Sequence, residues 1–224
     1  VAIDWKYPLH EYGVYYCIPK SDQELHTFIE PNLDTGPWIA GGAALRWYEG
    51  KSLDDHDVDI FCSSQEQYDN VNNKIYARCI DDPTAYCITK LFETDNASTL
   101  RIDKIVKNSD SLFGLNGIAI SWKIQLIKKF MPANLDELLD KFDISVCKVA
   151  TDFKKFKVNP EAARDIKAKR LYFPNGFKPD SLKRIVKYNA YGYTPDPDIW
   201  DKLFQVEGLV TKFHPNVGDY DNAF

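Results

Sequence analysis

From Gln65 onward, Tyr68, Val71, Ile75 and Cys79 recur three or four residues apart among Asp, Asn, Lys and Arg. That spacing lines one side of a helix and predicts an amphipathic helix over 64–79. Further on the period falls to two. Trp122, Ile124 and Leu126 alternate with Lys123, Gln125 and Ile127, the pattern of a strand with one face against a core. Strands are predicted over 85–92, 99–106 and 118–128, and β-branched and aromatic content predicts another over 58–62. Trp38-Ile39-Ala40 reads as a short strand ended by Gly41-Gly42, with a helix over 43–48.

Ser21-Asp22-Gln23-Glu24 ahead of Leu25 and Phe28 has the form of a helix start. Asn134 is placed to cap the short helical run NLDELLDKF. Phe142 to Val149 reads as a returning strand, with Ile144 and Val146 alternating against Asp143, Ser145 and Cys147. Beyond Asn159 the pattern turns helical, with Pro160 at a first-turn position and a second helix over 179–191. The tail carries Pro195, Pro197 and Pro215 and reads as loop. There is no internal repeat. The expected fold is α+β, a mixed sheet with flanking helices followed by a small helical C-terminal segment. The expected organisation is an N-terminal extension over 1–36, a core domain over 37–152, and a basic helical segment with a loop-rich tail over 153–224. The Tyr-rich extension is expected to cover a sheet edge.

Composition narrows the class. The chain has 224 residues, 44% hydrophobic and 27% charged, which is ordinary for a globular protein. No apolar run approaches the roughly 18 residues of a membrane span, and no secretory leader is recognisable. Cys17, Cys62, Cys79, Cys87 and Cys147 form no C-x-x-C pair, so a disulfide framework or zinc site is not expected and a reducing cytoplasm is. The net charge of −5 is uneven: residues 1–119 carry −9, residues 120–190 carry +8, and the remainder −4. A basic middle can meet a polyanion such as nucleotide phosphate or RNA, or it can be a solvated lysine-rich surface.

The chemistry gathers at AGGAALRWYEGKSLDDHDVDIF, residues 40–61. On a strand, Asp57 and Asp59 point to one face while Val58 and Ile60 point to the core. Two carboxylates about 7 Å apart on one face repel unless a cation lies between them, and Mg²⁺ with its oxygen ligands suits the position. Asp55 to Glu66 also has the spacing of a calcium-binding EF-hand loop, except that Ile60 stands where that loop needs glycine. A plain acidic surface turn is the third reading. Gly41 and Gly42 before a helix would let a phosphate approach the backbone and the helix N-terminus. His10, His26, His56 and His214 are scattered and support no histidine-based hydrolysis.

The run Ile39-Ala40-Gly41-Gly42 through Asp57-Val58-Asp59-Ile60 resembles the nucleotidyltransferase superfamily of DNA polymerase β, poly(A) polymerases and tRNA CCA-adding enzymes. The likeness is greatest to the head domain of CCA-adding enzymes, where an arginine follows the glycine pair; Arg46 matches it, displaced by one residue. The later order, an IQLI strand, a short helix and then FDxSxC, also looks like small phage and viral members of the superfamily. The resemblance implies a third carboxylate on a neighbouring strand. Asp143 in KFDISVC is favoured, and Asp103 in LRIDKIV is the alternative.

What the resemblance implies is metal-dependent transfer of an NMP from an NTP, ATP or CTP above all, to a hydroxyl of RNA, protein or a small molecule. Asp57, Asp59 and Asp143 would hold two Mg²⁺ ions, with Mn²⁺ as a substitute, and Gly41 and Gly42 would cradle the phosphates. In SLKRIVKYNAYGY, Lys183 with Lys187 and Arg184 with Tyr188 are spaced by four, so Arg184 and Lys187 could meet a triphosphate or RNA. The same residues could equally be the wet side of a helix that packs Leu182, Ile185 and Val186. Only about 70 residues follow the core, too few for the tRNA-holding regions of a CCA-adding enzyme, so a compact transferase in the cytoplasm is expected, a host's if phage-encoded. The alternative is a catalytically inert nucleotide-binding or structural module of the same fold.

Overall fold

The computed structural model describes residues 18–53, 56–107, 116–177, 181–197 and 199. Short helices α1 (Lys20–Gln23) and α2 (His26–Ile29) lead to β1 (Trp38–Ala40), α3 (Gly42–Tyr48) and β2 (Asp57–Phe61). Helix α4 (Gln65–Asp81) precedes the long strands β3 (Tyr86–Glu93), β4 (Ala97–Lys107) and β5 (Asn116–Ile127). Helix α5 (Leu135–Lys141), a 3-10 turn (Ser145–Cys147), β6 (Val149–Thr151) and β7 (Phe156–Val158) complete the larger sheet. After it come α6 (Pro160–Ala168), β8 (Arg170–Leu171), α7 (Ser181–Ala190) and β9 (Thr194–Pro195).

The sheet order is β3-β4-β5-β2-β1-β6-β7. Strand β2 runs parallel to β5, setting Asp57 opposite Lys123 and Asp59 opposite Gln125, while the other neighbours are antiparallel. This is the α+β architecture expected, with a mixed sheet and flanking helices. One face carries Val58, Ile60, Leu100, Ile102, Trp122, Ile124 and Leu126, fully buried against the Tyr68, Val71, Ile75 and Cys79 stripe of α4. Ile18, Leu25, Phe28 and Ile29 join that same cluster. Among the described residues the opposite face is only partly covered. Leu135, Leu138 and Leu139 of α5 pack on Trp38, Ala40 and Phe61, and a further cluster joins Ala44 and Leu45 to Ile166 and Ile185.

Local signals held where side chains cap or alternate. Ser64 caps α4 by accepting from the Gln67 amide at 3.1 Å, Asn134 caps α5 through Glu137 at 2.9 Å, and Asn159 caps α6 ahead of Pro160. One expectation fails. The predicted strand over 142–149 is instead a 3-10 turn, with Cys147 N–H bonded to Ile144 O and Lys148 N–H to Ser145 O, and the strand begins only at Val149. The alternation there was misleading because Ile144, Ser145, Val146 and Cys147 are all buried, so no polar face turns outward. The helix start read at 21–24 does occur, with α1 beginning at Lys20, but no side chain caps it. Asp22 turns inward to accept from Trp47 Nε1 at 2.9 Å and from the Leu53 amide at 3.3 Å, leaving two single turns in place of one capped helix.

The strand over Asp57–Phe61, with Ile60 fully buried, removes the calcium-loop reading. The first three residues of the helix predicted over 179–191, other than Ser181, and the segments around Cys17, His10, Pro215 and His214 lie outside the described residues.

Candidate functional site

Asp57 and Asp59 project from β2 onto the partly covered face, both half-buried, with Val58 between them facing the core. The parallel neighbour meets Asp57 twice: Lys123 Nζ lies 2.9 Å from Oδ1, and Gln125 Nε2 donates to Oδ2 at 2.9 Å. Among the described residues Asp59 has no such hydrogen-bonded partner. Burial first and the Asp57 charge second push its carboxyl up to about 7, against the pull of Lys187, Arg184 and Lys123.

The glycine pair stands beside these carboxylates. Gly41 adopts φ +85°, and a Cβ there would fall 3.0 Å from Phe142 Cε1 and 3.9 Å from Asp59 Oδ2. Its amide is already committed to Val149 O at 3.0 Å, so backbone donors available to a phosphate begin at Gly42, the first residue of α3. A Cβ on Gly42 would stand 3.5 Å from the Tyr188 hydroxyl.

Asp143 lies in the segment between α5 and the 3-10 turn. It is buried and accepts a hydrogen bond from Arg184 Nη1 on α7. Together these elements enclose a cavity of about 450 Å³ whose lining includes Gly42, Asp57, Asp59, Asp143, Arg184 and Lys187. Among the sequence-derived candidates, then, Gly42, the three aspartates, Arg184 and Lys187 come together, with Gly41 behind them. Arg46 lines a small side pocket instead: Nε donates to Ser52 O at 2.6 Å and the guanidinium lies 5.5 Å from the Tyr191 ring. Asp103 is bonded by Ser121 Oγ at 2.6 Å and Arg101 Nε at 3.1 Å. With β5 between β4 and β2 and Asp103 two residues beyond Arg101, it stands roughly 12 Å from Asp57 by ordinary strand spacings.

The sequence reading passed over several residues at the site. Lys123 and Gln125 were visible as the polar side of β5, but nothing local showed that β5 pairs with β2. Tyr188 meets Cys147, hydroxyl to Sγ at 2.8 Å, and burial pushes the Cys147 thiol up to about 12. His56 bonds Leu53 O through Nδ1 at 2.6 Å and the Tyr191 hydroxyl through Nε2. Phe142 gave no signal beyond its apolar character.

The donor set is hard oxygen, which suits Mg²⁺. Among the described residues no three His, Cys, Asp or Glu side chains converge closely enough to hold an ion by themselves. Asp57 and Asp59 do fit an ion that keeps waters and completes its shell with substrate phosphate, and the uncompensated charge of Asp59 is the feature such an ion would relieve.

Among solved structures, a CCA-adding enzyme in complex with CTP is similar at 13% identity with TM-score 0.56, covering 89% of this chain and 46% of that one. The Bacillus stearothermophilus CCA-adding enzyme in complex with CTP matches at 12% identity and TM-score 0.47, covering 78% of this chain and 40% of that one. The Thermotoga maritima CCA-adding enzyme complexed with tRNA matches at 14% and 0.46, covering 78% and 38%. The first of these shows a nucleotidyltransferase-like fold, and this chain spans less than half the length of those enzymes. No curated protein sequence matches the chain. Among the described residues no helix is long and apolar enough to cross a membrane. A family model described as Gabija anti-defense 2 family protein matches residues 18–169, and the chain belongs to that family.

Proposed function

We propose that the protein is a metal-dependent nucleotidyltransferase that moves an NMP from an NTP to an acceptor hydroxyl. The observation that carries this reading is the pairing of Asp57 and Asp59, side by side on the floor of a cavity beside the Gly41–Gly42 turn. The cavity is of the size ligand pockets take. Gly42 and the amides that follow it would face phosphate at the start of α3. Arg184 and Lys187 would pair with the triphosphate, and Asp57 and Asp59, with Asp143 as the third carboxylate, would hold Mg²⁺. The core domain over 37–152 would supply the carboxylates and α7 the cations.

In the reaction the acceptor oxygen attacks the α-phosphorus, forming one P–O bond as the bond to the bridging oxygen of the β-phosphate breaks. Pyrophosphate leaves, and the acceptor proton passes to solvent. Mg²⁺, when bound, lowers the pKa of the acceptor hydroxyl and neutralises charge on the leaving group. The protein's own part is to orient: Asp57 and Asp59 set the position of the α-phosphate, and the cations of α7 set that of the leaving group. ATP or CTP is the proposed donor. The acceptor is a component of RNA, protein or a small molecule through which an anti-defense protein acts, and the setting is the host cytoplasm.

One observation favours a second reading. Asp143 is engaged by Arg184 and Asp57 by Lys123 and Gln125, a charge-balanced arrangement that an inert nucleotide-binding module would also show. Incubation with each α-³²P-NTP, Mg²⁺ or Mn²⁺ and a cell extract separates the two. Label on a macromolecule with the wild type and none with Asp57→Ala/Asp59→Ala supports transfer. Nuclease or protease sensitivity then names the acceptor class. Nucleotide binding without label transfer supports the module.

A further inference from the structure

Asp143 and Arg184 differ in a way that their shared bond conceals. The Asp143 side chain is 7% exposed, whereas that of Arg184 is 47% exposed. A buried carboxylate left alone pays the full penalty of its lost hydration, so Asp143 needs a cation wherever the protein is charged and folded. Arg184 has no such need, since half of its side chain already meets water. If one partner leaves, it is Arg184.

The helix bearing it is held independently. Arg184, Tyr188 and Tyr191 recur at spacings of four and three, along one side of α7 and its C-terminal end. Tyr188 is bonded to Cys147 and Tyr191 to His56, so α7 stays docked without Arg184. Ile185 is buried in the same contact. Release of Asp143 is therefore a swing of one side chain, with the helix in place.

The charges around the cavity say what would drive the swing. Asp57, Asp59 and Asp143 face Lys123, Lys141, Arg184 and Lys187. A divalent cation entering alone meets Asp57 already paired with Lys123 and Asp143 already paired with Arg184, so that only Asp59 is left to hold it. A triphosphate offers Arg184 a new anion suited to its planar fork of donors, and in taking Arg184 it uncovers Asp143.

Building on the nucleotidyltransferase reading above, we infer that Arg184 is a positioning residue that stands in for a metal ion on Asp143. It moves to the triphosphate on nucleotide entry, so that metal and nucleotide bind cooperatively. The coupling acts in both directions, and couplings of this kind are about 5–150-fold in affinity.

The test is Mn²⁺ binding followed by electron paramagnetic resonance, with and without an α,β-methylene NTP analogue. In the wild type, the analogue should tighten Mn²⁺ binding by about tenfold or more. Arg184→Gln should bind Mn²⁺ about tenfold more tightly than wild type when no analogue is present, and gain less from the analogue. Arg184→Lys keeps a positive charge opposite Asp143 and should keep the wild-type affinity without analogue, which a purely structural role would not foretell. Asp143→Asn gives an independent arm should Arg184→Gln fail to fold. It should lose more Mn²⁺ affinity with analogue than without, because the carboxylate that the exchange uncovers is gone.

Equal Mn²⁺ affinity of wild type and Arg184→Gln without analogue would overturn the exchange while leaving the nucleotidyltransferase reading intact. So would an Asp143→Asn loss of the same size in both conditions. A wild type that binds no Mn²⁺ with or without analogue overturns that reading and the exchange with it.

Discussion

Lys123 on β5 lies directly across the parallel strand pair from Asp57, its Nζ 2.9 Å from Oδ1. The contact compensates one member of the carboxylate pair and leaves the other, Asp59, with its carboxyl raised to about 7. The sign of the consequence for stability follows from proton binding. Between roughly pH 4 and 7 the folded protein holds a proton on Asp59 that the unfolded chain has released. Metal-free stability from this group is therefore present at low pH and falls as pH rises through 7. Asp59→Asn should remove that loss and stabilise the metal-free protein at pH 8 by on the order of 2–4 kcal/mol, in thermal or denaturant unfolding. No gain in stability at pH 8 would mean that the carboxylate is not under strain. The same proton competes with metal, so Mg²⁺ should raise the melting temperature more at pH 8 than at pH 6.

Asp57→Ala should remove a ligand without emptying the core, because Val58 and Ile60 carry the packing of β2. Transfer should fall by at least about 10³-fold, the scale of one lost electrostatic clamp at a reacting phosphate. Steady-state label incorporation at saturating NTP measures it, and activity within tenfold of wild type would remove Asp57 from the site.

Much of this arrangement could be read before the fold was known, and the reasons are local. The helix over Gln65–Asp81 follows from four apolar positions at helical spacing, and β5 from strict alternation around Trp122, Ile124 and Leu126. Asp57 and Asp59 share a face because a strand has period two. The segment after α5 escaped that logic, since both sides of 144–147 are buried and alternation there carries no inside or outside. Asp22 escaped it too, because its partners Trp47 and Leu53 lie 25 and 31 residues away. The distance of Asp103 from Asp57 follows from strand order, a tertiary property absent from its local pattern. The engagement of Asp143 by Arg184, 41 residues later, belongs to the same kind.

Gly41→Ala tests why the diglycine turn begins with glycine. The residue sits at φ +85° with Phe142 where a side chain would start, so alanine meets both backbone strain and an aromatic ring. A loss of about 1–3 kcal/mol in chemical denaturation is expected. Phe142→Ala in the same background should recover only the steric part. Gly42→Ala, with 3.5 Å to the nearest atom and no positive φ, should cost the fold little.

The inward turn of Asp22 makes a separate prediction about residues 18–30. Its carboxylate satisfies the Trp47 indole and the Leu53 amide, both buried. Asp22→Ala leaves two donors without partners and should destabilise the protein by about 2–4 kcal/mol. Asp22→Asn, which keeps one acceptor oxygen, should lose less. Equal stability of Asp22→Ala and wild type would show that this segment does not support α3.

The most direct test of the central claim is the pyrophosphate released per label incorporated by the purified protein, given an acceptor fraction, Mg²⁺ and α-labelled NTP. A nucleotidyltransferase built on Asp57 and Asp59 releases one pyrophosphate for each NMP transferred, and Asp57→Ala/Asp59→Ala releases none. Nucleotide retained without pyrophosphate release, or equal release by the double variant, would contradict it.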